Sequence, residues 1–246
     1  MTEGIIVAKT DGLLEITLDC PERGNGMEDA QILQLGDLLE AEHDKVRLIV
    51  LRANGPDFCT GRAKTGRIPL AGPEAMHLRN AHDAVFRVYG AVRKSRAPVI
   101  SVVRGQSVGF GFALACVTDI TIAAQSATFA INEFSHNIMP TIVMSSLVDR
   151  IPLKALMHLV WSGKVIDSRH AMTIGAVSDI APDDELDAVA NALIERLMKA
   201  PPSAMAAVKH YAHGATAIDI EKAVLFARNL HAVVNTAPDM RPGFKA

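Results

Sequence analysis

Aromatic residues are scarce in this 246-residue chain, at 4%, with a single Trp and two Tyr. Any core must therefore be filled by aliphatic side chains and Met, for which a 49% hydrophobic content and a mean hydropathy of +0.20 leave ample material. Cysteine is scarce too. Cys20, Cys59 and Cys116 are odd in number and far apart, which argues against a disulfide framework or a zinc site and suits a reducing compartment. Neither sign of charge dominates: 25 basic and 27 acidic residues leave a net charge of −2, so no basic footprint for nucleic acid is present. No run approaches the roughly 18 consecutive apolar residues of a membrane span. Met1-Thr2-Glu3-Gly4 does not open a basic segment followed by an apolar one. These absences lead us to expect a cytoplasmic protein with no nucleic-acid and no membrane partner.

What is present is β/α alternation. The length permits one large domain, or one domain with a short helical appendage. Ile5-Ile6-Val7 and Leu13 to Leu18 flank Asp11-Gly12, a hairpin signal. A loop over 19–27 carries Pro21, Gly24 and Gly26. Ile32, Leu35, Leu38 and Leu39 form a helix stripe over 28–43. Strands are expected at 46–52, 98–103, 119–123 and near 128–131, with helices at 74–94 and 109–117. Beyond Pro140 the pattern predicts helices at 142–150, 153–161, 168–174, 183–199, 202–213 and 217–236, with a short strand at 177–180. Such alternation implies crossover units on one sheet, an α/β fold. Pro201-Pro202 marks the best boundary, giving a core over 1–200 and a C-terminal helical region over 201–246.

Two Gly-bearing turns carry the chemistry. Phe58-Cys59-Thr60-Gly61-Arg62 follows Leu48-Ile49-Val50-Leu51, and Gly105 to Ala113 follows Val99 to Val103. A strand that ends in such a turn and opens a helix leaves N–H groups free to meet negative charge. Two such turns side by side can hold one developing oxyanion. Gly109 and Gly111 equally suit plain close packing.

The order of these elements, followed by Thr118-Asp119 and then Asn132-Glu133, resembles the crotonase superfamily, the enoyl-CoA hydratase/isomerase family. Pro21-Glu22-Arg23-Gly24-Asn25, Ser162-Gly163 with Gly175-Ala176-Val177, and Asp239 to Phe244 add to the resemblance, which runs over nearly the whole chain. It implies a crotonase-like stack of ββα units with a C-terminal helical trimerisation region, assembled as a homotrimer or a hexamer. It also implies an acyl-CoA substrate, with coenzyme A as part of the thioester and no separate cofactor or metal. By position, the N–H groups of Arg62 and Phe110 would hold the thioester oxygen and Glu133 would move the proton. The chemistry implied is isomerisation or hydration of an unsaturated acyl-CoA.

Several residues depart from the family pattern or stay open. Phe110 stands where the family has a small residue; its N–H survives, but its side chain must narrow the acyl pocket or shift the turn. Ala113 stands where family hydratases carry a second Glu. One carboxylate can still take a proton from one carbon and return it to another. Glu133, near Ile131, Phe134 and Ile138, suits either a base with a raised pKa or a solvated strand end. Arg23, Arg62, Lys64 and Arg67 suit either CoA phosphates or a solvated loop. With Gly61 and Gly109, the residues Arg23 and Lys64 make the candidate substrate-binding set. His136 suits C–C bond hydrolysis of a β-diketone or a structural role, and Asp149 the site or a solvated helix. Ser107 with His136 or His170 would imitate a Ser–His pair without the usual elbow. A catalytically reduced binding or scaffold subunit is the reading from another class. Trp161 is expected in the core or in a subunit contact. The stripe Ile220, Val224, Ala227, Val234 suits subunit or intrachain packing.

Overall fold

Alternation in Leu13–Leu18 buries Leu14, Ile16 and Leu18 on one face, whereas Leu48–Leu51 and Val99–Val103 are buried throughout. A half-exposed edge followed by fully covered central strands is the signature of a parallel sheet with layers on both faces. The computed structural model, which describes residues 3–63, 80, 82–241 and 243, has that arrangement. Strands β1 (Ile5–Thr10), β2 (Leu13–Leu18), β3 (Leu48–Ala53), β4 (Val99–Val103), β6 (Ile120–Ala124) and β9 (Asp179–Ala181) form a six-stranded sheet in the order β1-β2-β3-β4-β6-β9. The β1–β2 pair is antiparallel, and the pairs that follow are parallel. Asp11 and Gly12 both have positive φ, at 49° and 85°, which matches the turn to the strand twist.

A second, three-stranded sheet joins β5 (Gln106–Val108), β7 (Thr128–Ala130) and β8 (Ile166–Asp167) in the order β5-β7-β8. The sequence gives no strand signal for β5 or β8. Both are two or three residues long, and β5 lies inside the Gly-rich stretch, so its pairing with β7 comes from tertiary contact. Helices α1 (Asp29–Glu42) and α2 (Asp83–Lys94) pack on each other. The part of the expected 74–94 helix before residue 82 lies outside the described residues except for Asn80. Helix α3 (Phe110–Val117) is buried at every residue and touches strands of both sheets. Beyond it come α4 (Thr141–Leu147), α5 (Leu153–Ser162), α6 (Ser168–Thr173), α7 (Leu186–Met198), α8 (Pro202–Ala215) and α9 (Ile220–Val234). Together these elements make a mixed α/β fold with helices at its C-terminal end. Trp161 is 65% exposed, so the core of this chain does not hold it. Ile220 and Val224 are exposed as well, whereas Ala227 and Val234 of the same stripe are partly buried, and α9 packs on α8.

What ties α8 to the sheet is charge. Lys209 is buried and donates to Val92 O at 2.8 Å and Ala97 O at 3.3 Å, and it lies 2.7 Å from Asp119 Oδ2. Asp119 also accepts from the Val99 N–H and faces His213. Burial works against the Asp119 carboxylate, but His213, Lys209 and the Val99 N–H outweigh it and hold its pKa below the ordinary value. Removing one partner of such a pair strands the other charge. Lys209→Met is expected to cost about 3–5 kcal/mol, seen as a lower urea midpoint at unchanged m value. Adding Asp119→Asn to the same chain should restore part of the loss.

Candidate active site

The two turns touch through their backbones. Cys59 bridges Ser107 as a short parallel pair: the Cys59 N–H donates to Gln106 O at 3.1 Å, and the Val108 N–H donates to Cys59 O at 2.9 Å. Asp57 Oδ1 accepts from the Gln106 N–H at 2.8 Å. The approach is close enough that a Cβ on Gly111 would lie 2.0 Å from Cys59 O, and one on Gly105 would lie 2.0 Å from Pro56 O. The close-packing role that the sequence allowed for Gly111 is thus met.

The early loop braces the first turn from the other side. Asn25 is buried, accepts from the Cys20 N–H, and donates to Asn54 O and Asp57 O. The Thr60 N–H donates to Gly24 O at 2.9 Å. Gly61, at φ +120°, then turns the chain, so that Gly61 O accepts from Met27 and the Ala63 N–H donates back to Met27. In that strand-like exchange Arg62 points its own N–H away from Met27. Among the described residues, that N–H has no backbone acceptor.

In the second turn Gly109 adopts φ 53° and ψ −114° and donates to Ala130 O. The first helical bond of α3 runs from the Ala113 N–H to Gly109 O, which leaves the Phe110 N–H at the helix start without an intrahelical acceptor. The sequence left two fates open for the Phe110 side chain. It is buried and stacked on Tyr89, with ring centroids 6.0 Å apart at 22°.

Glu133 opens a short 3-10 turn over Glu133–His136 that follows β7. A Cβ on Gly109 would lie 2.5 Å from Glu133 Oε1, so the carboxylate sits directly over the second turn. Its Oε2 is buried and has no hydrogen-bond partner among the described residues. Burial raises the Glu133 pKa, while the backbone N–H groups of Glu133 and Asn132 and the nearby His136 pull against that rise. Of the three expected apolar neighbours, only Ile131 is buried; Phe134 and Ile138 face outward.

Other candidates are differently placed. The Arg62 side chain is not a free cation: it donates to Asp29 Oδ1 at 2.6 Å and pairs with His82 Nδ1 at 2.9 Å. Burial, then the Arg62 charge, holds the His82 pKa below its ordinary value, which suits a neutral ring accepting at Nδ1. Arg23 is paired with Glu28 and donates to Cys20 Sγ. Lys64 and Arg67 lie outside the described residues. Asp149 is held by Arg93 at 2.5 Å. Ser107 Oγ is buried without a hydrogen-bond partner among the described residues, so neither His136 nor His170 pairs with it. Burial pushes the Cys59 thiol up to about 12, which leaves it unreactive. Tyr89 and His82 escaped the sequence reading. The one available signal was a polar-tipped aromatic within the apolar face Val85, Val88, Val92.

The model of the enoyl-CoA hydratase/isomerase family matches residues 8–246. The chain belongs to that family. Among its relatives, (E)-benzylidenesuccinyl-CoA hydratase of Thauera aromatica is 26% identical over 94% of this chain and 90% of its own. The 1,2-epoxyphenylacetyl-CoA isomerase of Escherichia coli K12 is 26% identical over 100% of this chain and 95% of its own. An enoyl-CoA hydratase/isomerase from Marinobacter aquaeolei superposes with a TM-score of 0.88 at 26% identity, covering 97% of this chain and 93% of that one. Named hydratases and isomerases thus resemble this enoyl-CoA hydratase/isomerase family member to the same degree, and the comparison does not choose between the two reactions.

The raised Glu133 pKa gives a test of this geometry. Because the folded value lies above the unfolded one, the protonated form is favoured by folding. That contribution is full below the unfolded pKa near 4.5 and is lost as pH rises through the folded pKa. Glu133→Gln, always neutral, should therefore be more heat-stable than the wild type at pH 7–8. Thermal melts should show that gain shrinking as pH falls toward 4.

Proposed function

We propose that this protein moves the double bond of an unsaturated acyl-CoA thioester, with Glu133 as its single proton carrier. The observation that carries this reading is the buried, unpartnered Glu133 Oε2, set over a turn whose helix begins with a free N–H. The Arg62 and Phe110 N–H groups would hold the thioester oxygen. Glu133 takes a proton from C2 of a 3-enoyl-CoA, and the C2 electron pair moves onto the thioester to give an enolate. The enolate is stabilised by donors that need no reorganisation. Glu133 then returns the proton at C4, the electrons close the C2–C3 double bond, and the carboxylate is regenerated. Ala113, buried in α3, supplies no second carboxylate for activating water, which favours migration over hydration.

Coenzyme A enters only as part of the substrate. The exposed apolar face of α9, with Ile220, Val224, Leu225 and Val233, supports assembly as a homotrimer or hexamer through the C-terminal helical region.

Turnover of a 3-enoyl-CoA and of crotonyl-CoA, resolved by mass and retention time, tests the reading. Conversion of the 3-enoyl substrate is expected, with a loss of about 10²–10⁴ in kcat for Glu133→Gln. The wild type should also exchange deuterium into C2, and the variant should not. Exchange at the wild-type rate in Glu133→Gln would remove Glu133 from this role. Hydrated product from crotonyl-CoA would remove the migration reading.

A further inference from the structure

Helix α2 meets one residue of each Gly-bearing turn. Just ahead of its first residue, His82 Nδ1 accepts from Arg62 Nη1 at 2.9 Å. The Val85 N–H donates to His82 O at 3.0 Å, which holds His82 to the helix. Further along, the buried Tyr89 ring stacks on Phe110, with centroids 6.0 Å apart. Positions 82 and 89 lie two helical turns apart, so they return to nearly the same face, about 10 Å along the axis. Val85, between them, is buried on that face. The far end of α2 is fixed independently. Arg93 donates to Ser146 O at 3.1 Å, and Lys209 donates to Val92 O at 2.8 Å. The helix cannot slide along its axis without stranding these buried or half-buried cations. It is a rod anchored at one end and applied to both turns at the other.

The Arg62 N–H needs such a hold. Its peptide plane is tied at Gly61 O by the Met27 N–H. The N–H side must stay unbonded to serve a ligand, and Gly61, at φ +120°, offers the least steric resistance to rotation. The guanidinium supplies a second restraint: it reaches Asp29 Oδ1 at 2.6 Å as well as His82, and so steadies the Arg62 Cα from the side-chain end. Phe110 is steadied by its ring. The Tyr89 hydroxyl has no hydrogen-bond partner among the described residues, so Tyr89 acts on Phe110 through its ring face. Resting on the acyl-CoA reading above, we propose that α2 is the brace that sets the spacing of the two oxyanion donors. His82 and Tyr89 are then positioning residues, acting through Arg62 and Phe110. Donors that work by preorganisation lose rate when displaced even slightly.

Infrared spectra of bound butyryl-CoA, isotopically labelled at its thioester carbonyl, read the donors directly, because hydrogen bonds to a carbonyl lower its stretching frequency. The wild type is expected to lower that frequency relative to the free thioester. His82→Leu and Tyr89→Leu should each lose much of the downshift. Their kcat on a 3-enoyl-CoA should fall roughly 10- to 100-fold, with KM within about threefold of wild type. His82→Asn keeps an acceptor for Arg62, and Tyr89→Phe keeps the ring. Both should restore the downshift, with kcat within about threefold of wild type. Should Tyr89→Leu fail to fold, the His82 pair, at a half-buried position, decides the question. A wild-type downshift in the Leu variants, or conservative variants as impaired as the Leu ones, would overturn the brace alone. Failure of the wild type to bind butyryl-CoA, or to shift its carbonyl, would instead overturn the acyl-CoA reading, and the brace with it.

Discussion

The contact between the two turns is the constraint on which the site depends. It is made of backbone: Cys59 exchanges hydrogen bonds with Gln106 and Val108, and the position opposite Cys59 O must be Gly111, because a side chain there would overlap the carbonyl. Backbone-to-backbone bracing fixes the two turns more tightly than side-chain packing can, since no rotamer stands between them. It also uses up particular donors. Cys59, Val108 and Gly109 spend their N–H groups on holding the junction together, whereas those of Arg62 and Phe110 have no backbone acceptor among the described residues. The same bonds that build the junction thus decide which N–H groups remain for a ligand.

A second consequence is electrostatic. Helix α3 is buried along its whole length, so the partial positive charge at its start is poorly screened by water. Glu133 packs over the preceding Gly109, yet among the described residues its Oε2 is left unpaired. Other acidic groups nearby are committed: Asp29 to Arg62, Asp57 to the Gln106 N–H, Asp149 to Arg93. Glu133 stays a weakly solvated carboxylate whose pKa burial holds above the ordinary value.

The larger elements were legible in the sequence because their hydrophobic period is strong. The runs that became β3 and β4, and the stripe of α1, stand within two residues of where periodicity puts them. The two turns were legible for a different reason: Gly at 61, 109 and 111 has few uses other than positive φ or close approach, and the structure needs both. The small sheet was not legible, because β5 and β8 have too few residues for any period and exist only through pairing with β7. The free charge attributed to Arg23 and Arg62 was not legible either. Whether a guanidinium faces solvent or a carboxylate depends on Glu28 and Asp29, which reach it across the early loop only once the chain is folded. Tyr89 shows the same limit: a polar tip on an apolar helix face does not say whether it finds a partner.

The C-terminal helices follow a separate logic. Apolar packing alone could slide along the sheet, but Lys209 must meet two carbonyls and the Asp119 carboxylate at once. That requirement sets one register for α8, because any shift leaves a buried ammonium without its acceptors. Asp119 receives the Val99 N–H at the start of β4, and β4 leads directly into the second turn through Arg104 and Gly105. The anchor of the helical region and the second Gly-bearing turn therefore hang from opposite ends of one fully buried strand. A strand of that kind transmits position with little give. The placement of α8 and α9, and of whatever surface they present, is thereby fixed to the same frame that holds Glu133.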